Sequence, residues 1–247
     1  MNGRCVIQVI NPNTSPAMTA TIGAAARAVA APGTEILAVS PQAGAPSIEG
    51  HFDEAIAAVG VLQQVKLGRE AGVSGHVIAC FGDPGLLAAR ELACAPVIGI
   101  AEAAMHTATL LATRFSIVTT LPRTLTIARH LLHQYGFERH CAALHAIDLP
   151  VLALEDGSGL AQQKVREQCL QSLKQDGCGA IVLGCGGMAD LARQLTQELA
   201  IPVIDGVSAA VKMIESLHAL GLSTSKHGDL DFPLAKPLSG MFDGFNS

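Results

Sequence analysis

The sequence has few aromatic side chains and few charges. It contains no tryptophan and one tyrosine, and charged residues make up 15% of its 247 residues. A net charge of −5 leaves no excess of basic residues to neutralise a phosphate backbone, so we expect no nucleic-acid partner. The lack of large rings also predicts that a ligand pocket is built from small side chains and backbone amides.

Long hydrophobic runs are absent as well. A charge, glycine or proline interrupts every apolar run before it reaches the roughly 20 residues of a membrane-spanning helix, so we expect no membrane contact. The first ten residues lack the basic start and apolar stretch of a signal peptide, which predicts a cytoplasmic protein. Hydrophobic residues nevertheless make up 49% of the chain, and this fraction indicates a compact globular fold.

Cysteine motifs for disulfides or metals are missing. The seven cysteines are odd in number and widely spaced, and no C-x-x-C pair occurs, which indicates free thiols without a zinc site. A group of nearby residues fits no defined metal motif and is interrupted by a glycine: His130, His133, His140, Cys141 and His145. The glycine-rich segments 82–85 and 184–187 match neither G-x-G-x-x-G nor a P-loop. We therefore expect no metal and no nucleotide cofactor.

Apolar runs typical of strands alternate with longer stretches of helical period, a pattern typical of β-α units around parallel sheets. Met18, Ile22 and Ala26 recur on one helical face, and Ser15 followed by Pro16 is a typical helix start. We predict strands at residues 5–10, 35–40, 76–80, 96–100, 115–120, 141–147, 180–184 and 202–205.

An internal repeat with an offset near 110 residues divides the chain into two similar halves. RCVIQVINPNT at 4–14 matches RFSIVTTLPRT at 114–124, and segment 76–104 matches segment 180–210 with Cys80 on Cys185. We therefore predict two α/β domains, each with a four-stranded parallel sheet, related by a pseudo-twofold axis. The residues after Leu222 lack a helical stripe and form a tail, which covers either the sheet of the first half or an oligomer interface.

Cys80 and Cys185 are the only cysteines that match between the halves. Each closes an apolar run, is followed by glycines and precedes a predicted helix. Ligands of open parallel sheets bind beyond the carboxyl ends of the strands, so two facing halves bring both thiols to one cleft. A single cysteine at such a place is usually a small core residue, but the repeat favours a function for this pair.

Two facing thiols are suited to inverting a stereocentre next to a carbonyl group. We expect helix N-termini to lower the pKa of both thiols, so that one removes a proton while the other delivers one to the opposite face. The enolate oxygen formed needs fixed donors, and the backbone amides of Gly82, Gly186 and Gly187 are candidates. Such a reaction requires no cofactor.

Other polar residues at strand ends give weaker signals. Asn13 either binds a substrate amide or organises the turn after the first strand. Thr119 and Thr120 either bind substrate carbonyl groups or cap the next helix. The loop 40–50, which begins at Ser40, is long and rich in small residues, so we predict a lid with Ile48 as its apolar contact.

The motifs that contain these residues resemble the aspartate/glutamate/hydantoin racemase superfamily, and within it the hydantoin and allantoin racemases. They are VINPNTS at 9–15, SIEGHFDEA at 47–55, ACFGDPGL at 79–86, LGCGGM at 183–188 and PVIDGVSAA at 202–210. The resemblance covers most of the chain. It implies a cofactor-independent mechanism with Cys80 and Cys185 as catalytic residues, and a homo-oligomer. It also implies domains at 1–101 plus 208–247 and at 102–207, with the last helix and tail on the first half.

Departures from other branches point to a neutral substrate. Amino-acid racemases of the superfamily typically have Asn-Thr and Thr-His after the two cysteines, where this chain has Phe81-Gly82 and Gly186-Gly187. Arylmalonate decarboxylases need one cysteine, whereas this chain has both. The expected substrate-binding residues are Asn13, Ser40, Ile48, Phe81, Gly82, Thr119, Thr120, Gly186 and Gly187.

The resemblance implies racemisation of allantoin, a 5-ureidohydantoin, at ring C5. A racemase of 5-alkyl or 5-aryl hydantoins is the alternative enzyme. A non-catalytic protein that binds a small amide is the alternative from another class. In each case the partner is a small molecule.

Overall fold

Two four-stranded parallel sheets form the framework of the computed structural model, which describes residues 4–246. The first has the order β2-β1-β3-β4, with β1 at Cys5–Ile10, β2 at Thr34–Val39, β3 at Gly75–Ile78 and β4 at Val97–Gly99. The second has the order β6-β5-β7-β8, with β5 at Phe115–Thr119, β6 at Cys141–Ala146, β7 at Ala180–Leu183 and β8 at Val203–Asp205. All strand pairs are parallel, so the predicted fold class is confirmed.

Eight α-helices connect and cover these strands within the described residues. The first half contains α1 at Pro16–Val29, α2 at His51–Glu70, α3 at Leu86–Leu92 and α4 at Ile100–Leu111; the second contains α5 at Leu125–Tyr135, α6 at Leu160–Gln175, α7 at Ala192–Leu199 and α8 at Gly206–Ala219. The predicted start of α1 is confirmed, because the Ser15 side chain accepts a hydrogen bond from the Met18 amide and Pro16 is the first helical residue. None of these helices is long and apolar enough to cross a membrane.

The last helix of each half packs against the other half. Helix α4 follows β4 of the first sheet, but its buried residues join a core with β5 and β7 of the second sheet. Helix α8 follows β8 of the second sheet, and its residues Val207, Val211 and Ile214 join the core of β1 and β3. This exchange places α4 and α8 side by side between the sheets.

The segment after α8 lies against the helices of the first half. Thr224 donates from its backbone amide to the Cys94 carbonyl oxygen at 2.9 Å. The Lys226 ammonium group donates to three carbonyl oxygens, those of Arg90, Glu91 and Leu230. The Phe232 ring is 4.7 Å from both the Lys226 ammonium and the Arg69 guanidinium group. These contacts hold the segment near the end of α3.

A buried histidine in β3 gives the fold a pH dependence. His76 is fully buried, and its Nδ1–H donates to Gln8 Oε1 at 2.8 Å, because the Gln8 amide nitrogen already donates to the Gln64 carbonyl oxygen. Its other ring nitrogen, Nε2, has no partner among the described residues. Burial therefore lowers the pKa of His76 from 6.5 to about 4, since a proton on Nε2 would be buried without an acceptor.

We expect this histidine to destabilise the fold in acid. Between pH 6.5 and 4 the imidazole of the unfolded chain is protonated, whereas that of the folded chain is neutral. The contribution of His76 to the free energy of unfolding is therefore fully present above pH 6.5 and is lost as the pH falls towards 4. The expected loss is about 3 kcal/mol, measured as the change in urea-derived unfolding free energy. His76→Gln is the reference, because the buried carboxyl groups titrate equally in both proteins. An identical pH profile for the two proteins would refute this assignment.

Candidate active site

Cys80 and Cys185 occupy equivalent places in the two halves. Strand β3 ends at Ile78 and β7 ends at Leu183, so each cysteine lies two residues beyond its strand. The predicted strands 76–80 and 180–184 were too long at this end. The reason is visible in the ladder: the last amides to bond to the neighbouring strand are those of Ala79, to the Ile10 carbonyl oxygen, and of Gly184, to that of Val118.

The two cysteine-bearing loops meet across the cleft. Gly186 lies so close to the other loop that a Cβ placed on it would be 2.8 Å from the Ala79 carbonyl oxygen. Only a glycine permits this approach of two backbones. Since Ala79 precedes Cys80 and Gly186 follows Cys185, the contact brings the two cysteines to one cavity, whose empty space, including its opening to solvent, is about 600 Å³.

Most of the residues predicted for substrate binding line this cavity with the two cysteines. They are Asn13, Ile48, Phe81, Gly82, Thr119, Thr120 and Gly186. The structure does not bring the other two predicted residues to the cavity wall. Ser40 directly follows β2 and lies outside the lining. Gly187 also lies outside it, and a Cβ on this residue would contact the side chains of Leu154 and Met18.

The thiols are desolvated rather than activated by helices. Burial raises the pKa of Cys185 to about 11 and raises that of Cys80 further above its usual range. The amides of Gly82 and Gly187 each interact with the sulfur two residues earlier and oppose this shift only in part. The expectation of thiol pKa values lowered by helix N-termini is therefore wrong: α3 begins six residues after Cys80, and Cys185 precedes a 3-10 turn at Gly186–Leu191. The amides of Gly82 and Gly187, two of the candidate donors to an enolate oxygen, interact with the two thiols.

Asn13 organises the turn after β1 and also faces the cavity. Its Oδ1 accepts hydrogen bonds from the Ser15 amide at 2.9 Å and from Asn11 Nδ2 at 2.7 Å. Its own Nδ2 donates to the sulfur of Met18, a weak acceptor in the cavity wall, and to no other atom within residues 4–246. The amide group thus has a fixed orientation with donor capacity directed towards the cavity.

Thr119, the last residue of β5, and Thr120, which follows it, line the cavity and do not cap a helix. The Thr119 hydroxyl group donates to the Gly184 carbonyl oxygen at 2.9 Å, which ties the two strand ends together. The Thr120 hydroxyl group has no hydrogen-bond partner among the described residues, although the residue is 2% exposed. Helix α5 begins after Thr124 without a side-chain cap, so the capping alternative is not realised.

The loop 40–50 spans the cleft between the halves. The Thr14 amide bonds to the Ala45 carbonyl oxygen at 3.0 Å, which fixes the loop to the first half. Glu49 accepts a hydrogen bond from the Val151 amide of the second half at 2.9 Å. Between these attachments, Ile48 contributes its side chain to the cavity wall.

Glu54 is the main cavity residue that sequence reasoning missed. It lies in the first turn of α2, and its Oε2 is 3.3 Å from His51 Nδ1. Burial raises its pKa, while His51 and His130 lower it. The signal was present, because SIEGHFDEA at 47–55 was one of the motifs that carried the family resemblance, but nothing in the sequence indicated which acidic residue of that motif faces the cleft.

Asp83 connects the Cys80 loop to α4 and α5 by hydrogen bonds. It accepts hydrogen bonds from the amides of Ala101 and Glu102 at the start of α4 and from the Tyr135 hydroxyl group at 2.8 Å. Burial raises the pKa of Asp83 to about 7, against these three donors. Because Tyr135 belongs to α5, the single tyrosine of the chain links the Cys80 loop to the second half.

The histidines near residue 140 do not form a cluster. His133 pairs with Glu138, His145 pairs with Asp176, and His140 contacts the Thr113 carbonyl oxygen. No group of three or more His, Cys, Asp or Glu residues that could hold a metal ion is present within residues 4–246.

Comparisons with known proteins agree on one family. The family model of Asp/Glu/hydantoin racemases matches residues 7–214. The hydantoin racemase of Rhizobium meliloti is 45% identical over 234 residues, which cover 95% of this chain and 97% of that protein.

Two solved structures are similar over nearly the whole chain. The allantoin racemase from Klebsiella pneumoniae is 82% identical, with a TM-score of 0.97 over 98% of this chain and 99% of that one. The allantoin racemase from Pseudomonas fluorescens is 40% identical, with a TM-score of 0.91 over 95% of this chain and 100% of that one. The chain therefore belongs to the Asp/Glu/hydantoin racemase family and is an isomerase of the hydantoin and allantoin racemase type.

Proposed function

We propose that this racemase inverts the C5 stereocentre of allantoin by proton transfer between Cys80 and Cys185. The observation that carries the proposal is the equivalent placement of two desolvated thiols on one cavity, each two residues beyond a central strand. One sulfur, as thiolate, takes the C5 proton and the opposite thiol gives its proton to the other face. The bond electrons pass through an enolate, and the enzyme ends with the two protonation states exchanged.

The raised thiol pKa values suit this chemistry. A carbon acid next to a carbonyl group needs a strong base, and a thiolate that is poorly solvated is a stronger base than one in water. The same burial makes the opposite sulfur a neutral thiol that holds its proton until the enolate forms. Acid and base are thus supplied by the protein, and the reaction as proposed requires no cofactor.

The polar groups of the cavity match a neutral amide ring. Asn13 Nδ2 is a donor directed into the cavity, and the unpartnered Thr120 hydroxyl group both donates and accepts. The cavity has no basic side chain among its described lining residues, so it lacks a partner for a free carboxylate. Allantoin is favoured over alkyl hydantoins by the 82% identity to a protein named allantoin racemase. The proposal includes the homo-oligomeric assembly that the family resemblance implies and the cytoplasmic location expected from the sequence.

Racemisation of allantoin is tested directly by polarimetry. We expect the optical rotation of each enantiomer to decay to zero with the wild-type protein, with deuterium entering C5 in deuterated water. We also expect kcat/KM for allantoin to exceed that for 5-methylhydantoin and 5-benzylhydantoin by about tenfold or more. An unchanged rotation without exchange would overturn the proposal. A higher kcat/KM for the alkyl and aryl rings would instead assign the protein to the hydantoin alternative.

A further inference from the structure

We propose that Glu54 selects the substituent at C5 by accepting hydrogen bonds from a donor-rich group such as ureido. This inference rests on the proposed racemisation and adds the residue that distinguishes a ureido from an alkyl or aryl substituent. Among the described residues that line the cavity, Glu54 alone has a carboxyl side chain, and none is Lys, Arg or His.

One carboxylate oxygen of Glu54 is held, and the other is open. Oε2 contacts His51 Nδ1 at 3.3 Å, and the His51 ring stacks on His130 with 6.1 Å between ring centroids. Oε1 has no hydrogen-bond partner among the described residues, and it lies over Gly82, where any Cβ would overlap it. The histidine contact therefore fixes the carboxylate so that its free oxygen lies beside the Cys80 loop.

The surroundings of Glu54 favour a bound donor over a bound apolar group. Its side chain is 18% exposed, and burial raises its pKa because the ionised form lacks solvent. A ureido substituent presents N–H groups that would replace this solvent with charge-assisted hydrogen bonds. An alkyl or aryl substituent would remove the remaining solvent without replacing those bonds, which is unfavourable for a charged group.

The neighbouring side chains of His51, Asp53 and Arg123 lie outside the cavity lining, so Glu54 is the acceptor that a substrate would meet. Within the described part of the chain, His51 is the one group hydrogen-bonded to the Glu54 carboxylate, and the His51 side chain is 66% exposed. Asp53 points its Oδ2 to the Glu49 amide, and the Arg123 guanidinium group lies over Gly50 at the mouth of the cleft. Neither replaces Glu54 in the cavity lining.

The test compares two substrates in two Glu54 variants and one control variant. For Glu54→Met, which preserves volume but removes both acceptors, we expect KM for allantoin to rise about 10- to 100-fold. We expect kcat/KM for 5-methylhydantoin to stay equal or rise. Glu54→Gln keeps one neutral acceptor oxygen and should give an intermediate KM for allantoin. Glu70→Gln, with the same charge change at the exposed far end of α2, should match the wild type for both substrates.

The possible failures have different meanings. If Glu54→Met lowers kcat equally for both substrates with unchanged KM, Glu54 acts in proton transfer, and the selectivity proposal is overturned. If both substrates keep wild-type constants, it is overturned as well. If the wild-type protein does not racemise allantoin, the proposed function fails before the variants are compared. Circular dichroism and thermal unfolding of each variant show whether it is folded.

Discussion

Replacement of either Cys80 or Cys185 by serine is expected to reduce kcat for racemisation by about 10²–10⁴-fold. A serine hydroxyl group is a far weaker acid than a thiol, and burial in this cavity would raise its pKa further, as it raises that of Cys185 to about 11. The serine therefore neither ionises to accept the C5 proton nor delivers one at a useful rate. The double variant should be little slower than either single variant, because the two groups act as one unit.

Isotope exchange distinguishes this mechanism from a single-base reaction. Each single variant keeps one cysteine, so we expect it to exchange the C5 proton of one allantoin enantiomer with solvent deuterium while racemisation is lost. The two variants should prefer opposite enantiomers. Cys94→Ser is the control, because Cys94 is exposed and outside the cavity, and it should retain wild-type rates. Wild-type racemisation by both cysteine variants would disprove the two-cysteine mechanism.

Gly206→Ala is expected to have the largest effect on stability, a loss of about 3 kcal/mol in unfolding free energy. Gly206 is the first residue of α8 and lies against the start of α4. A Cβ at this position would overlap the Ile100 carbonyl oxygen and would be 2.7 Å from the Ile100 Cβ. Because both obstacles belong to the start of a helix rather than to a flexible side-chain end, the two helices must separate.

The same separation should also lower activity. Helices α4 and α8 lie between the sheets, so moving them apart changes the distance between the two halves that carry Cys80 and Cys185. We expect a lower midpoint in urea unfolding and a reduced kcat in the fraction that remains folded. Gly244→Ala is the control, because among the described residues, its two chain neighbours aside, no atom lies within 4 Å of its Cβ position. Equal midpoints for the two variants would show that the helix contact tolerates a methyl group.

The four strands of each half and the cysteine pair were predictable because both repeat along the chain. Short apolar runs indicated each buried strand, and the equivalence of Cys80 and Cys185 followed from an alignment of the two halves. Strand β1 has the predicted bounds, and each of the other seven strands differs from its predicted range by one or two residues at one or both ends. Hydrophobicity continues past the last ladder bond, so composition does not indicate where a strand leaves its neighbours.

The roles of individual loop groups were less predictable, because they depend on contacts between distant segments. The backbone amides of Gly82 and Gly187 interact with the cysteine sulfurs. Ser40 lies outside the cavity lining, although it begins the loop that contributes Ile48 to the lining. The hydrogen bonds that cap the helix starts also depend on contacts between distant segments. Helix α8 is capped by Asp205, the residue before it, whereas α4 has Gly99 at that place and receives the Asp83 carboxylate from the Cys80 loop. The repeat relates the two positions, but only the folded chain reveals how each cap is supplied.

The sequence by itself determined the class of fold, the two matching halves and the pair of thiols, since periodicity, repetition and residue type are local properties of the chain. The tertiary structure decided which carboxylate enters the cavity and the direction in which the thiol pKa values move. Those properties depend on desolvation and on approaches such as that of Gly186 to Ala79, which join residues more than a hundred positions apart. The scarcity of charged residues was thus visible in the composition, but the position of Glu54 as the one carboxyl side chain among the described lining residues was a result of folding.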